Sequence, residues 1–92
     1  MDGNCQLSIV KYLVSQGADI NQPDNEGKTP LWIASFHGHL STVKYLVSQG
    51  ADINQIDNDG KKAIWASSWN GYLSVTEYLA SIAGLTLVKI TQ

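Results

Sequence analysis

Two glycine-containing motifs are the first places where this chain could do chemistry. Gly27-Lys28-Thr29 resembles the end of a phosphate-binding loop, but that loop requires a glycine five positions earlier, where Gln22 stands. The run Asp57-Asn58-Asp59-Gly60 resembles part of a calcium-binding loop. Aligned on its glycine, however, the run puts Gln55 at the first ligand position and Ala66 at the last. Neither motif therefore predicts a ligand site, and each is better interpreted as a turn.

The histidines and the single cysteine are the other reactive side chains. His37 and His39 stand two residues apart, and no neighbouring carboxylate or thiol completes a zinc site, so we interpret them as residues of a helix end. Cys5 has no serine, histidine or acid at a spacing typical of nucleophilic catalysis. The sequence predicts a protein that is not an enzyme and needs no metal or cofactor, although a fold alone does not exclude a grafted catalytic site.

Composition excludes several classes of partner. Six lysines, no arginine and eight acidic residues give a net charge of −2, which predicts no binding to nucleic acid. No apolar run approaches the roughly 18 residues needed to cross a bilayer. A lone cysteine cannot form an intrachain disulfide, which fits a reducing compartment. We therefore predict an intracellular, cytoplasmic protein that does not bind membranes.

An internal repeat organises the chain. The stretch VKYLVSQGADINQ occurs twice without change, as Val10–Gln22 and Val43–Gln55. At this 33-residue offset, 22 of the 33 residues from Leu7 to His39 match. A period of this length is typical of stacked small units, none of which can bury its apolar face alone.

Each unit has the signals of two short helices and a loop. Thr29 can cap a first helix that has Pro30 in its first turn, and Gly38 can end it. A second helix is predicted from about Ser41 to Gln49, followed by Gly50 in a left-handed conformation. The turn-forming residues that come next predict a projecting, hairpin-like loop. Packing between units must hold helices this short.

These motifs resemble the ankyrin repeat in content, spacing and order. The similar segments are DNEGKTPL at 24–31, GHL at 38–40, VKYLV at 43–47 and GADIN at 50–54. The resemblance extends to about Ala83. It implies an all-α, ankyrin-like solenoid of stacked helix-turn-helix repeats with projecting hairpin loops. On this basis residues 1–92 form a single array, divided into a partial leading repeat (1–23), a full repeat (24–56), a terminal repeat (57–84) and a C-terminal tail (85–92).

The chain departs from the ankyrin pattern in three ways. Trp32 and Trp65 replace the histidine of the family's TPLH motif, and we interpret both as packing residues. Lys62-Ala63 replaces Thr-Pro, so the start of that helix should be looser. The third outer helix, predicted over Leu73–Ala83, runs into GLTLV where the pattern has GADIN, so the array is expected to end there.

The resemblance also implies where a partner would bind. Ankyrin repeats contact partners through loop tips and the groove-facing part of the first helix. Position by position, this selects Asn25, Glu26, Lys28, Phe36, His37, Asn58, Asp59, Lys61, Trp69 and Asn70. Phe36 and Trp69 are repeat equivalents and should lie side by side, as residues of an interface hot spot do. Packing between units is the alternative role for this pair.

The predicted function is non-catalytic binding of a protein or peptide on this concave loop and inner-helix face. The alternative is a self-associating structural segment of a longer repeat array, forming a homo-oligomer through exposed repeat ends. That alternative rests on Leu7, Val10, Leu13 and Val14, which have no inner helix of their own, and on the apolar, strand-like tail from Leu85 to Ile90.

Overall fold

Five short helices make up the computed structural model, which describes residues 3–84, with side chains from Leu7 onward. The helices are α1 (Gly3–Ser15), α2 (Pro30–Phe36), α3 (Leu40–Ser48), α4 (Ala63–Trp69) and α5 (Leu73–Ile82). No strand occurs within residues 3–84, and the predicted all-α fold is confirmed. Across the same residues, no helix is long and apolar enough to cross a lipid bilayer. The predicted strand-like tail lies outside the described residues.

The helices form two layers. In the inner layer α2 packs against α4, and in the outer layer α3 packs against both α1 and α5. The layers are joined where α2 packs on α3 and α4 packs on α5. Each inner helix therefore has its outer partner from the same unit, and each layer repeats along the stack as the 33-residue period predicts.

The ends of the helices follow the predicted signals. The Thr29 side chain accepts a hydrogen bond from the Trp32 backbone N–H at 3.2 Å, and Pro30 occupies the first position of α2. Gly50, with φ of 95°, takes the predicted left-handed conformation. In contrast, α4 starts after Lys62, whose side chain makes no capping hydrogen bond.

Three helix ends differ by one residue from the predicted bounds: both ends of α3 and the C-terminal end of α5. Helix α3 covers Leu40–Ser48 instead of Ser41–Gln49, because the backbone N–H of Gln49 bonds to carbonyls of the last turn and makes this residue the cap. Helix α5 ends at Ile82, and Ala83 is its cap in the same way. Such ends differ by a residue or two between assignments in most proteins.

One apolar core runs through the stack. Leu31 and Ala34 of α2 are buried with Val43 and Leu46 of α3, and the cluster continues through Ala63, Val75 and Leu79. Leu46 and Leu79 are repeat equivalents, at 1% and 2% exposure. Since the helices are too short to be stable in isolation, burial of this shared cluster is what holds them in place.

Polar joints between neighbouring units accompany the core. The Asn21 side-chain oxygen accepts from the Asp52 backbone N–H at 2.8 Å, while the Gln55 side chain donates to the Asn21 carbonyl at 3.0 Å. Nearer the loop tips, the Asn58 side chain donates to the Asn25 carbonyl at 3.0 Å. These bonds link residues 31 to 34 positions apart, and they fix the register of one loop on the next.

The outer helices repeat one contact at both joints. The Lys11 ammonium lies 5.6 Å from the centre of the Tyr45 ring, and Lys44 lies 5.7 Å from Tyr78. Lys11 and Lys44 are repeat equivalents, and so are Tyr45 and Tyr78. The same residues thus make the same joint twice, as expected when each repeat touches only its neighbours.

Candidate functional site

The loop tips are built by aspartates that bond to their own backbone. The Asp24 carboxylate accepts from the backbone N–H groups of Glu26 and Lys28 at 2.9 and 2.8 Å. Asp57 repeats this arrangement in the next unit, accepting two backbone N–H groups at 2.8 and 2.9 Å. The carboxylates therefore act as turn residues, and each turn places a lysine at the same point just before an inner helix.

In the first of these units the lysine begins a stack of three side chains. The Lys28 ammonium lies 4.7 Å from the centre of the Trp32 ring. Trp32 in turn stacks on Phe36, with ring centres 5.3 Å apart and an angle of 14° between the ring planes. The spacing of four residues brings these side chains together on one side of the helix.

The next unit builds the same stack with a larger final ring. The Lys61 ammonium lies 5.1 Å from the Trp65 ring centre. Trp65 stacks on Trp69 at 5.4 Å and 16°. The two stacks line one depression, here called the aromatic groove, whose walls are Lys28, Trp32, Phe36, Asp57, Asp59, Lys61, Trp65 and Trp69.

Exposure increases along the aromatic groove. Trp32 is 5% exposed, whereas Trp69 is 71% exposed; Phe36 and Trp65 are half-buried. A tryptophan stacked on one face and open on the other offers a large, preoriented apolar surface. The groove therefore has a buried ring, Trp32, in one unit and a solvent-accessible ring, Trp69, in the next.

Charge along the edge of the groove is mixed. The Lys28 ammonium forms an ion pair with the Glu26 carboxylate at 3.0 Å. This hydrogen bond, helped by the nearby carboxylates of Asp24 and Asp57, raises the pKa of Lys28 above its ordinary value. Lys28 is therefore fully protonated at neutral pH and points its charge at both a carboxylate and a tryptophan ring.

The family is settled by a match along almost the whole chain. A family model described as ankyrin repeats (3 copies) matches residues 2–88. The chain belongs to the ankyrin repeat family. The match agrees with the five helices and confirms the predicted family and fold. Ankyrin repeats are generally protein–protein interaction modules. A search of curated proteins found no match to this chain.

Half of the partner-contact residues predicted from the ankyrin pattern line the aromatic groove. These are Lys28, Phe36, Asp59, Lys61 and Trp69. Phe36 and Trp69 are both walls of this one depression. Their predicted role in binding stays a prediction.

The other five residues lie outside the groove lining: Asn25, Glu26, His37, Asn58 and Asn70. Two of them, Asn58 and Asn70, make hydrogen bonds between neighbouring units of the ankyrin stack. Asn70 donates its side-chain N–H to the Phe36 carbonyl at 2.7 Å, and Asn58 bonds to the preceding loop tip. These asparagines connect neighbouring units, so their substitution would alter the array as well as its surface.

The histidine pair forms a stacked contact near the groove. His37 packs edge-on against Phe36, with ring centres 5.3 Å apart, and stacks on His39 at 5.9 Å. Within the part of the chain that the structure describes, no three His, Cys, Asp or Glu residues are grouped as ligands for a metal ion. His37 therefore contacts one wall residue of the groove, Phe36.

Trp32, Trp65 and Asp57 are the groove residues that the sequence analysis missed. The two tryptophans were assigned to packing, and Trp32 is indeed buried, but both also form groove walls. The spacing could have revealed this, since Lys28, Trp32 and Phe36 follow one another at intervals of four. That interval places side chains on one side of a helix and its preceding turn.

Proposed function

We propose that this ankyrin array binds a protein or peptide through the aromatic groove and the adjoining loop tips, and catalyses no reaction. The observation that carries the proposal is the pair of lysine–tryptophan–aromatic stacks, one from each unit, side by side along the groove. Interfaces concentrate binding energy in tryptophan, tyrosine and arginine anchors. The two stacks supply three tryptophan rings and a phenylalanine ring, which include the residue type most enriched in such anchors.

The exposure of Trp69 supports a role beyond packing. At 71% exposure this side chain gains little from the fold, yet stacking on Trp65 restricts its orientation. Burial of most of that ring by a partner would remove a large apolar area from water. Because the ring is already held, less conformational entropy is lost on binding.

The groove edge favours a partner that also carries polar or charged groups. Lys61 and Asp59 stand at the same edge with opposite charges. Mixed charges around an apolar centre are typical of a solvated interface rim, where they affect specificity and association rate more than affinity. The remaining loop-tip residues predicted above, Asn25, Glu26 and Asn58, extend this rim.

The test is parallel affinity capture from a cell extract with three forms of the chain. The parent is compared with the double variant Phe36→Ala/Trp69→Ala and with Tyr12→Ala, which removes an exposed aromatic ring from α1, away from the groove. Far-UV circular dichroism first establishes that all three are folded. We expect mass spectrometry to find proteins that the parent and Tyr12→Ala retain and the double variant loses. Capture of the same set by all three forms would refute the groove as the binding surface.

A further inference from the structure

One asparagine of the chain is followed by glycine. This pair, Asn70-Gly71, stands at the end of α4, where Asn70 is the cap of the helix. Every other asparagine is followed by a residue with a side chain. A glycine nitrogen is the least hindered nucleophile that can follow an asparagine, because glycine has no Cβ and its backbone rotates most freely. Loss of the side-chain amide, or deamidation, is therefore chemically favoured at this one position.

Asn70 also joins two neighbouring units. Its side-chain Nδ2–H donates to the backbone carbonyl oxygen of Phe36, 34 positions earlier, at 2.7 Å. Phe36 is the last residue of α2, so this bond ties together the C-terminal ends of the two inner helices. The bond needs an N–H on the side chain of Asn70, because a carbonyl oxygen can only accept. Since Phe36 and Trp69 are walls of the aromatic groove, the bond connects one wall with the chain neighbour of the other.

The folded backbone holds the pair in an unreactive arrangement. The succinimide ring of a deamidation closes only when the Asn70 Cβ and the Gly71 nitrogen lie on the same side of the Cα–C bond. At a ψ of 2° the Asn70 backbone nitrogen occupies that position instead, and Cβ is turned away. The Gly71 N–H donates to the Ser68 carbonyl at 3.1 Å, and the Asn70 side chain is held by Phe36. Reaction therefore requires the end of α4 to open, with loss of both hydrogen bonds.

We infer that Asn70 is a deamidation site which is protected by the joint between the inner helices and which, once modified, weakens that joint. When the end of α4 opens, the Gly71 nitrogen loses its proton to a solvent base and bonds to the Asn70 side-chain carbon Cγ. The bond from Cγ to Nδ2 breaks, and this nitrogen leaves as ammonia after taking up the proton. Water, which reaches this exposed pair, then adds hydroxyl to a carbonyl carbon of the succinimide and hydrogen to its nitrogen. The product is aspartate or isoaspartate at position 70.

The modified side chain cannot remake the contact between the units. A carboxylate has no hydrogen to donate, so two acceptor oxygens face each other where Asn70 bonded to Phe36. The added negative charge also lies at the C-terminal end of α4, where the helix dipole disfavours an anion. Both effects oppose closing of the joint, so one chemical event leaves a lasting change in how the two units are held together.

The experiment compares the whole folded chain with the same chain unfolded in guanidinium chloride, both kept warm in one mildly alkaline buffer. Trypsin releases residues 63–89, a fragment in which Asn70 is the only amide side chain. Mass spectrometry detects the conversion of the amide to a carboxyl group, and chromatography separates the aspartate and isoaspartate products. We expect both products, formed at least about tenfold more slowly in the folded chain because two hydrogen bonds must open first.

Two variants test the route of the reaction. Gly71→Ala hinders the attacking nitrogen, so the unfolded variant should convert more slowly than the unfolded parent. The added Cβ meets no atom of the described chain within 4 Å, which limits its effect on the fold to backbone strain. Asn70→His places there the residue found at the equivalent position, His37, and should give a fragment whose mass does not change.

The stability of the modified chain is the second measurement. Deamidated chain is prepared in denaturant, separated from the parent by anion exchange through its extra negative charge, and refolded. Its midpoint of urea unfolding should lie below that of the parent, because the joint has lost a hydrogen bond. Asn70→Asp supplies the aspartate form directly and should show the same decrease.

Each part of the inference has a result that would overturn it. Equal rates of conversion in the folded and unfolded chains would show that the joint gives no protection. A lack of conversion in the unfolded chain, or aspartate as the only product, would exclude the succinimide route through Gly71. A midpoint for the modified chain equal to or above that of the parent would show that deamidation does not weaken the joint.

Discussion

Gly27 and Gly60 offer a comparison in which one glycine is in tight contact and its repeat equivalent is not. Their φ angles are 80° and 77°, so alanine is strained to a similar extent at both. A Cβ at Gly27 would lie 2.7 Å from the backbone nitrogen of Asn58. A Cβ at Gly60 would meet no atom of the described chain within 4 Å. The two substitutions therefore differ in their contacts while sharing the same backbone strain.

The expected cost can be worked out from these contacts. Left-handed strain of about 1–2 kcal/mol applies to both variants and cancels in the comparison. At Gly27 the backbone of the next loop must also move, which adds roughly 1–3 kcal/mol of overpacking. The movement disturbs the hydrogen bond from the Asn58 N–H to the Glu26 carbonyl, 2.9 Å long in the structure, at a further cost of about 1 kcal/mol. Gly27→Ala should therefore be less stable than Gly60→Ala by about 2–4 kcal/mol.

Urea unfolding followed by the helical circular dichroism signal measures this difference. Both variants and the parent are compared at equal concentrations of trimethylamine N-oxide, which favours the folded state and keeps a destabilised variant within range. The midpoint for Gly27→Ala should lie well below that for Gly60→Ala, with a similar slope. Equal midpoints for the two variants would show that the close approach to Asn58 does not stabilise the joint, and would refute the reasoning.

The repeat supplies further comparisons of equivalent positions. Leu46→Ala should lower the unfolding free energy by about 2–5 kcal/mol because it leaves a cavity in the core, whereas Leu13→Ala at the half-open equivalent should cost about 1 kcal/mol or less; chemical denaturation of both checks this. Thr29→Ala should destabilise the chain by about 1 kcal/mol through loss of the α2 cap, and a thermal midpoint equal to that of the parent would contradict this. Lys62→Thr supplies the cap that α4 lacks and should raise the thermal midpoint, while an unchanged or lower value would show that this helix start gains nothing from it.

The sequence was most informative where a single residue type satisfies a local requirement. Thr29 and Pro30 could be assigned to the start of a helix, and Gly50 to a left-handed end, because few other residues meet those backbone conditions. The period of 33 then placed Phe36 next to Trp69, since stacked units bring equivalent positions together. These predictions needed no knowledge of side-chain conformation.

The details of the groove depended on information that local patterns do not contain. Trp32 is almost completely buried and yet forms a groove wall, so assigning it to either the core or the surface misses one of its roles. The contact between Lys28 and its ring depends on the conformation of a long, flexible side chain. Asn58 was selected as a partner contact because loop tips are exposed, and its bonds to the preceding loop became visible only when both loops were placed in space.

Because exposure differs along the groove, the intrinsic tryptophan fluorescence of the protein can report on ligand binding there. All three tryptophans of the chain are groove walls, with Trp32 at 5% exposure and Trp69 at 71%. Dissolved iodide should therefore quench emission mainly from Trp69, and a ligand that covers this ring should reduce the quenching and shift the emission to shorter wavelength. Occupancy of the aromatic groove can thus be followed in one unlabelled sample.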